Sequence, residues 1–185
     1  EYDDEVALQL KLPLVKGGEL LWDICRPSAF VQQCVRKSAA MRRLFARAPS
    51  SPVSPWDIIL AHDEVTPGAV LRPYNKRKFL SFYMSFLQLG HHALRKDNCW
   101  FPLGIIRTVV LDKVEGGVSS ALRMVLRAML LDYGGNFKQG IMLDLDEGPT
   151  MLFAVFRVHL GDEQALSRGL SCKGASGMRC CPECA

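Results

Sequence analysis

"WDIILAHDEV", residues 56–65, decides how this 185-residue chain is read. Ile58, Ile59, Leu60 and Ala61 form a continuous apolar run bounded by Pro55 and Pro67. An unbroken run of this kind is what a central strand buried on both faces shows, where a half-exposed strand would alternate. The run ends in His62, Asp63 and Glu64, so a segment built for the interior delivers carboxylates at its end.

Downstream, residues 65–78, "VTPGAVLRPYNKRK", are turn-rich. "KFLSFYMSFLQLG", residues 78–90, then reads as an aromatic strand closed by Gly90, with a helix as the open alternative. "CWFPLGIIRTVVLDKV", residues 99–114, follows. Its Ile105, Ile106, Val109, Val110 and Leu111 supply the β-branched density of a third strand. Three strands with modest loops predict an antiparallel meander.

The period then changes. In "GGVSSALRMVLRAMLLDYGG", residues 116–135, Val118, Leu122, Val125 and Met129 recur at helical spacing between two Gly pairs. "GIMLDLDEGPTMLFAVFRVHLGD", residues 140–162, returns to strand character. Asp146, Glu147, Gly148 and Pro149 form a turn between its two apolar halves, and a helix is expected over 163–168. A meander, a crossover helix and a strand able to lie beside the first describe an α/β sheet layered by helices. If residues 151–161 pair beside residues 56–62, Asp63 and Asp162 emerge at neighbouring strand ends.

Upstream, "LQLKLPLVKGG" within residues 1–18 offers a short strand closed by Gly17-Gly18. Residues 19–48 hold two helical patterns split at Pro27. The second has an apolar side with Phe30, Cys34, Met41 and Leu44, and a basic side with Arg36, Lys37, Arg42, Arg43 and Arg47. That basic side reads first as a solvated helix face and second as a nucleic-acid contact. "PSSPVSP", residues 49–55, is the best internal boundary. The expected organisation is a mostly helical arm and linker over 1–54, a core over 55–171, and a cysteine cluster over 172–185.

Formal net charge is +4 and the isoelectric point near 8.7, a mild bias toward polyanionic partners. No apolar run approaches the roughly 18 residues of a membrane span, so an intracellular chain is expected. It opens without a methionine and stops just after a Cys-x-x-Cys, as a segment of something longer would.

Two carboxylates at one sheet end can hold a hard divalent cation, and paired cations clamp the attacking and leaving oxygens of phosphoryl transfer. Asp63 and Asp162 are the candidates, with Glu64 and Glu163 beside them. The plainer reading of each is a turn or helix cap. Seven cysteines, four of them within residues 172–184, do not make an evenly spaced disulfide framework. Cys181-Pro-Glu-Cys184 can present two thiolates to zinc and Cys172 a third. The fourth ligand stays open between Cys180, His159 and a residue further on. Cys25, Cys34 and Cys99 read as buried small hydrophobes, and His91-His92 as a surface pair. Asp144 and Asp146 read as exposed strand and turn acids. Residues 75–78, Asn-Lys-Arg-Lys, either touch phosphates or solubilise a turn.

Taken together, residues 56–90 and the later "HLGDEQALSRGLSCKGASGMRCCPECA", residues 159–185, resemble the catalytic core of eukaryotic DDE-type transposases. The resemblance covers residues 55–185 and implies a ribonuclease-H-like mixed sheet with flanking helices. It matches Asp63 and Asp162 to the first two metal-binding carboxylates, residues 75–78 to a basic turn, and Cys181 with Cys184 to a cysteine pair. The third acid would lie beyond Ala185. The implied activity is Mg²⁺- or Mn²⁺-dependent hydrolysis and strand transfer at DNA phosphodiesters, with Lys76, Arg77 and Lys78 on the DNA backbone. DNA is then the expected partner and the nucleus the expected location, with a homo-oligomer left open. The rival is a non-catalytic module folded around zinc, in which the acids are ordinary turn residues.

Overall fold

The computed structural model describes residues 6–67, 77–132, 134–161, 166 and 169–170. The first strand is β1 (Ala7–Pro13), and β2 (Glu19–Cys25) pairs back along it with Ala7 opposite Cys25 and Pro13 opposite Glu19. Gly17 and Gly18 close the turn with φ of +85° and +83°, a region that side chains avoid. The helical pattern expected from Glu19 to Pro27 is therefore a strand. Leu20, Trp22 and Ile24 alternate with Leu21 and Asp23, and the Gly-Gly turn gives that alternation a partner to pair with. Leu10, Leu12, Trp22 and Ile24 point inward and are buried.

Pro27 then occupies the first turn of α1 (Pro27–Lys37), where its missing N–H costs no intrahelical bond. α1 buries Val31 and Val35. Ser38 turns extended and caps α2 (Ala39–Phe45), its Oγ accepting from the Met41 amide at 3.3 Å. The Pro/Ser stretch that follows is pinned: Ser50 Oγ donates to the Met151 carbonyl at 3.0 Å and accepts from the Phe153 amide at 2.9 Å.

The central sheet contains β3 (Trp56–Val65), β4 (Phe79–Phe86), β5 (Phe101–Arg107) and β8 (Ala154–Leu160) in the order β5-β4-β3-β8. β3, β4 and β5 are antiparallel neighbours, and β8 runs parallel to β3. The meander and the returning strand beside the first are thus as the apolar pattern predicts, and the architecture is α/β with a mixed sheet and flanking helices. Val109, Val110 and Leu111 depart from it. They belong to a short helical turn, α4 (Thr108–Leu111), not to the third strand. β4 begins at Phe79, so past the bond from the Thr108 amide to the Lys78 carbonyl the apolar run has no strand among the described residues to pair with. A short α3 (His91–Leu94) lies between β4 and β5.

The long helix α5 (Gly117–Leu131) covers the expected region and buries Ser120, Ala121, Leu122, Val125, Ala128 and Met129. A hairpin of β6 (Ile141–Leu145) and β7 (Gly148–Leu152) follows, closed at Asp146-Glu147, and leads into β8.

Arm and sheet share one core. Phe45 of α2 stacks on Trp56 of β3 at 5.2 Å, Trp22 of β2 packs on Phe82 at 5.4 Å, and Trp22 Nε1 donates to the Ile105 carbonyl at 2.9 Å. Gly104 in β5 admits that hairpin: a Cβ there would stand 2.8 Å from Ile24 Cγ2. The basic side of the helical arm is partly spoken for as well. Arg36 pairs with Asp144 at 3.5 Å and Arg42 with Asp146, so the two acids, exposed as expected, face the helices from the β6–β7 hairpin. No helix among the described residues is long and apolar enough to cross a membrane.

Candidate functional site

The candidate site lies where β3 and β8 end together. Their parallel register pairs Ile59 with Val158, Leu60 with His159 and Ala61 with Leu160. Asp63 stands two residues past Ala61, opposite Ser81 of β4, and its side chain is exposed. Asp162 stands two residues past Leu160 in the chain and, with Glu163, lies outside the described residues. Most of the expected helix over 163–168 lies outside them too, although the Leu170 amide donates to the Leu166 carbonyl at 2.9 Å in helical fashion.

Strand alternation separates Asp63 from Glu64. Adjacent residues point to opposite faces, so Asp63 shares the face of Ala61, and Glu64 that of Leu60 and His62. Glu64 is engaged there: its Oε1 accepts from Lys78 Nζ at 2.8 Å in a half-buried pair. Lys78 is therefore directed at a protein carboxylate, while Arg77 is exposed and Lys76 lies outside the described residues. Beside the pair opens a cleft of about 560 Å³, lined by Glu64, Lys78, Leu80, Thr108, Asp112 and Gly116.

Directly before the acids, two histidines meet. His62 is only 2% exposed, and its Nδ1 lies 2.8 Å from His159 Nε2. The rings are 4.9 Å apart and tilted by 23°, and His62 also stacks on Phe82 at 5.8 Å. Gly169 packs over both imidazoles, where a Cβ would come within 3.1 Å of each Cε1. Burial, and then the neighbouring His62, push His159 down from 6.5 to about 4. His159 was a candidate fourth zinc ligand; its Nε2 is instead directed at His62. The pair could not be found by spacing alone. Its one trace in the sequence is a histidine inside each apolar strand shortly before its aspartate, in "ILAHDE" and "RVHLGD".

Cys172, Cys180, Cys181 and Cys184 lie outside the described residues. Cys99 is a buried free thiol, and Cys25 and Cys34 are half-buried ones. Burial raises all three above the ordinary thiol value, as suits small hydrophobes and not nucleophiles. His91 and His92 are exposed at the start of α3. Among the described residues no three His, Cys, Asp or Glu side chains gather closely enough to hold a metal ion. Among the described residues the strand-end donor that suits a hard cation is Asp63, a short carboxylate at the end of β3.

Comparison with known proteins finds no matching family model, no matching curated protein and no matching solved structure.

Proposed function

We propose that this chain carries the ribonuclease-H-like core of a DDE-type transposase or a domesticated relative, acting on DNA phosphodiesters by metal-dependent hydrolysis and strand transfer. The observation that carries the reading is the parallel pairing of β8 beside β3 in the order β5-β4-β3-β8, which sets the strand leading to Asp162 alongside the strand bearing Asp63. Asp63 and Asp162 would hold Mg²⁺ or Mn²⁺. A cation held there would supply activation of a water or 3′-hydroxyl and neutralisation of charge on the leaving oxygen. Around them the chain's own residues hold the geometry: the β3–β8 ladder fixes the approach of the two strands, and Lys78 keeps Glu64 neutralised on the opposite face. The basic turn that would meet the DNA backbone comprises Lys76, Arg77 and Lys78. Cys172, Cys181 and Cys184 would bind zinc in a separate, structural site, with Cys180 as a further candidate.

Mn²⁺ titration of the whole chain, followed by electron paramagnetic resonance, tests the assignment. Binding should be lost in both Asp63→Ala and Asp162→Ala. Undiminished binding in both variants would sink the enzyme reading and leave the zinc-folded module. Zinc content in Cys181→Ser and Cys184→Ser tests the cysteine assignment separately.

A further inference from the structure

The helical arm carries more positive charge than its surroundings neutralise. Between Asp23 and Asp57 the chain has six Lys or Arg residues and no acid. Acids from elsewhere engage three of them: Arg26 meets Asp132 at 3.1 Å, Arg36 meets Asp144 at 3.5 Å, and Arg42 meets Asp146. Lys37, Arg43 and Arg47 are exposed and have no ion-pair partner among the described residues. Residues 87–100 add His91, His92, Arg95 and Lys96 against a single acid, Asp97.

These cations border a groove. Where α1 and α2 bend at Ser38 and face the α3 segment, two clefts of about 530 and 220 Å³ share Ser38, Met41 and Asn98 in their walls. The arm contributes Lys37 and Arg47, and the α3 segment His92 and Lys96. No Asp or Glu among the described residues lines either cleft, and Asp97 belongs to a separate cleft with Tyr83 and Trp100. Phe30, Cys34 and Leu44, each half-buried, give the groove an apolar floor. The positive field reaches that floor. Burial, and at Cys34 also Cys25, raises the Cys34 and Cys99 thiols, while Lys37 acts on the first and Lys96 on the second to lower them.

A cationic groove with an apolar floor suits a polyanion that also carries flat apolar surface. A single strand of nucleic acid is such a ligand, because its backbone tracks positive charge and its unstacked bases lie on aromatic rings. A duplex keeps its bases stacked inside, and an acidic peptide tract brings charge without rings. We propose that this groove binds a single strand of nucleic acid, its phosphates held by Lys37, Arg47 and Lys96 and a base laid on Phe30. The groove lies beside the start of β3, where Phe45 stacks on Trp56, and Asp63 stands near the other end of that strand. Its role is anchoring, and it holds whether or not Asp63 binds a metal.

The test is fluorescence anisotropy of labelled oligo(dT) with the full chain, without added divalent cation. Lys37→Ala, Arg47→Ala and Lys96→Ala should each weaken binding about fivefold at roughly 0.1 M salt, and each should flatten the slope of log affinity against log salt by about 0.7. The three combined should bind on the order of 100-fold more weakly. Phe30→Leu should weaken binding about fivefold with the salt slope unchanged, because it removes stacking and not charge. A charge-matched control combines Arg123→Ala, Arg127→Ala and Lys138→Ala, exposed cations that line neither cleft, and should bind like the unaltered chain. Equal losses in the two triple variants overturn the groove and leave net charge as the cause. Unchanged affinity in the Lys37, Arg47 and Lys96 triple variant overturns it as well. Failure of the unaltered chain to bind oligo(dT), tighter binding of a duplex of the same length, or equal displacement by polyglutamate overturns the single-strand assignment.

Discussion

The two faces of the central sheet are built from different materials. On one face Trp56, Ile58, Leu60, Phe82, Met84, Phe86 and Phe101 are almost wholly buried beneath the hairpin and helices of the arm and α5. Phe86 alone makes edge contacts with Phe45, Trp56, Phe101 and Phe137 at 5.6 to 6.2 Å. On the other face the matching positions are Ile59, Ala61, Asp63, Ser81, Tyr83 and Ser85; Ile59, Ser81 and Ser85 are buried, but the side chains are mostly small or polar, and Ile105 and Leu160 remain 61% and 43% exposed. Ala61, Tyr83, Trp100, Pro102 and Leu160 line an open cleft of about 570 Å³ there. Stability is concentrated on the aromatic face. Asp63, the candidate metal ligand, emerges on the thin one, where a carboxylate stays accessible instead of being buried against rings.

Truncation should separate the two faces sharply. Phe86→Ala should cost about 3–5 kcal/mol of unfolding free energy, through lost ring contacts and the cavity left behind. Tyr83→Ala, at a half-buried position on the other face, should cost less than half as much. Urea denaturation followed by tryptophan fluorescence measures both, and equal losses would break the comparison.

Acid should act next in size, at the one place where the filled face carries titratable rings. His159 is held down to about 4 from 6.5, so the folded chain binds fewer protons than the unfolded chain between those values. The associated stability is complete above pH 6.5 and is lost as the pH falls toward 4. Melting temperature should fall over that interval, and the fall should be shallower in His159→Gln. Identical slopes would show that the carboxylates alone drive the acid response.

The smallest effect belongs to the rim. Arg36 and Asp144 are mostly exposed, with side chains 64% and 62% accessible, so Arg36→Ala should change stability by no more than about 0.5 kcal/mol. The change should shrink further in high salt. A loss as large as that of a core residue would mean that the β6–β7 hairpin depends on its ion pairs and not on its packing.

Much of the sheet was legible because its strands carry their environment in their composition. Ile58 to Ala61 form a continuous apolar run because β3 is central, and α5 shows helical spacing because it buries one stripe. Glu19–Cys25 misled because a seven-residue segment rich in Leu and Ile fits a short helix as readily as a strand until its partner is known. Val109 to Leu111 misled because β propensity expresses itself only where a neighbouring strand continues.

The sequence by itself determined which segments go inside, where the chain turns, and that two apolar strands end in aspartates. Those are local properties, fixed by side-chain chemistry and by glycine and proline. Tertiary structure alone decided that Arg157 is left out of the β3–β8 ladder as a bulge, its Nε donating to Asp57, and that His159 consequently meets His62. It also decided that Glu64 is occupied by Lys78 while Asp63 stays exposed. A bulge depends on how two strands distant in the chain match over their whole length, and no spacing within either strand records that.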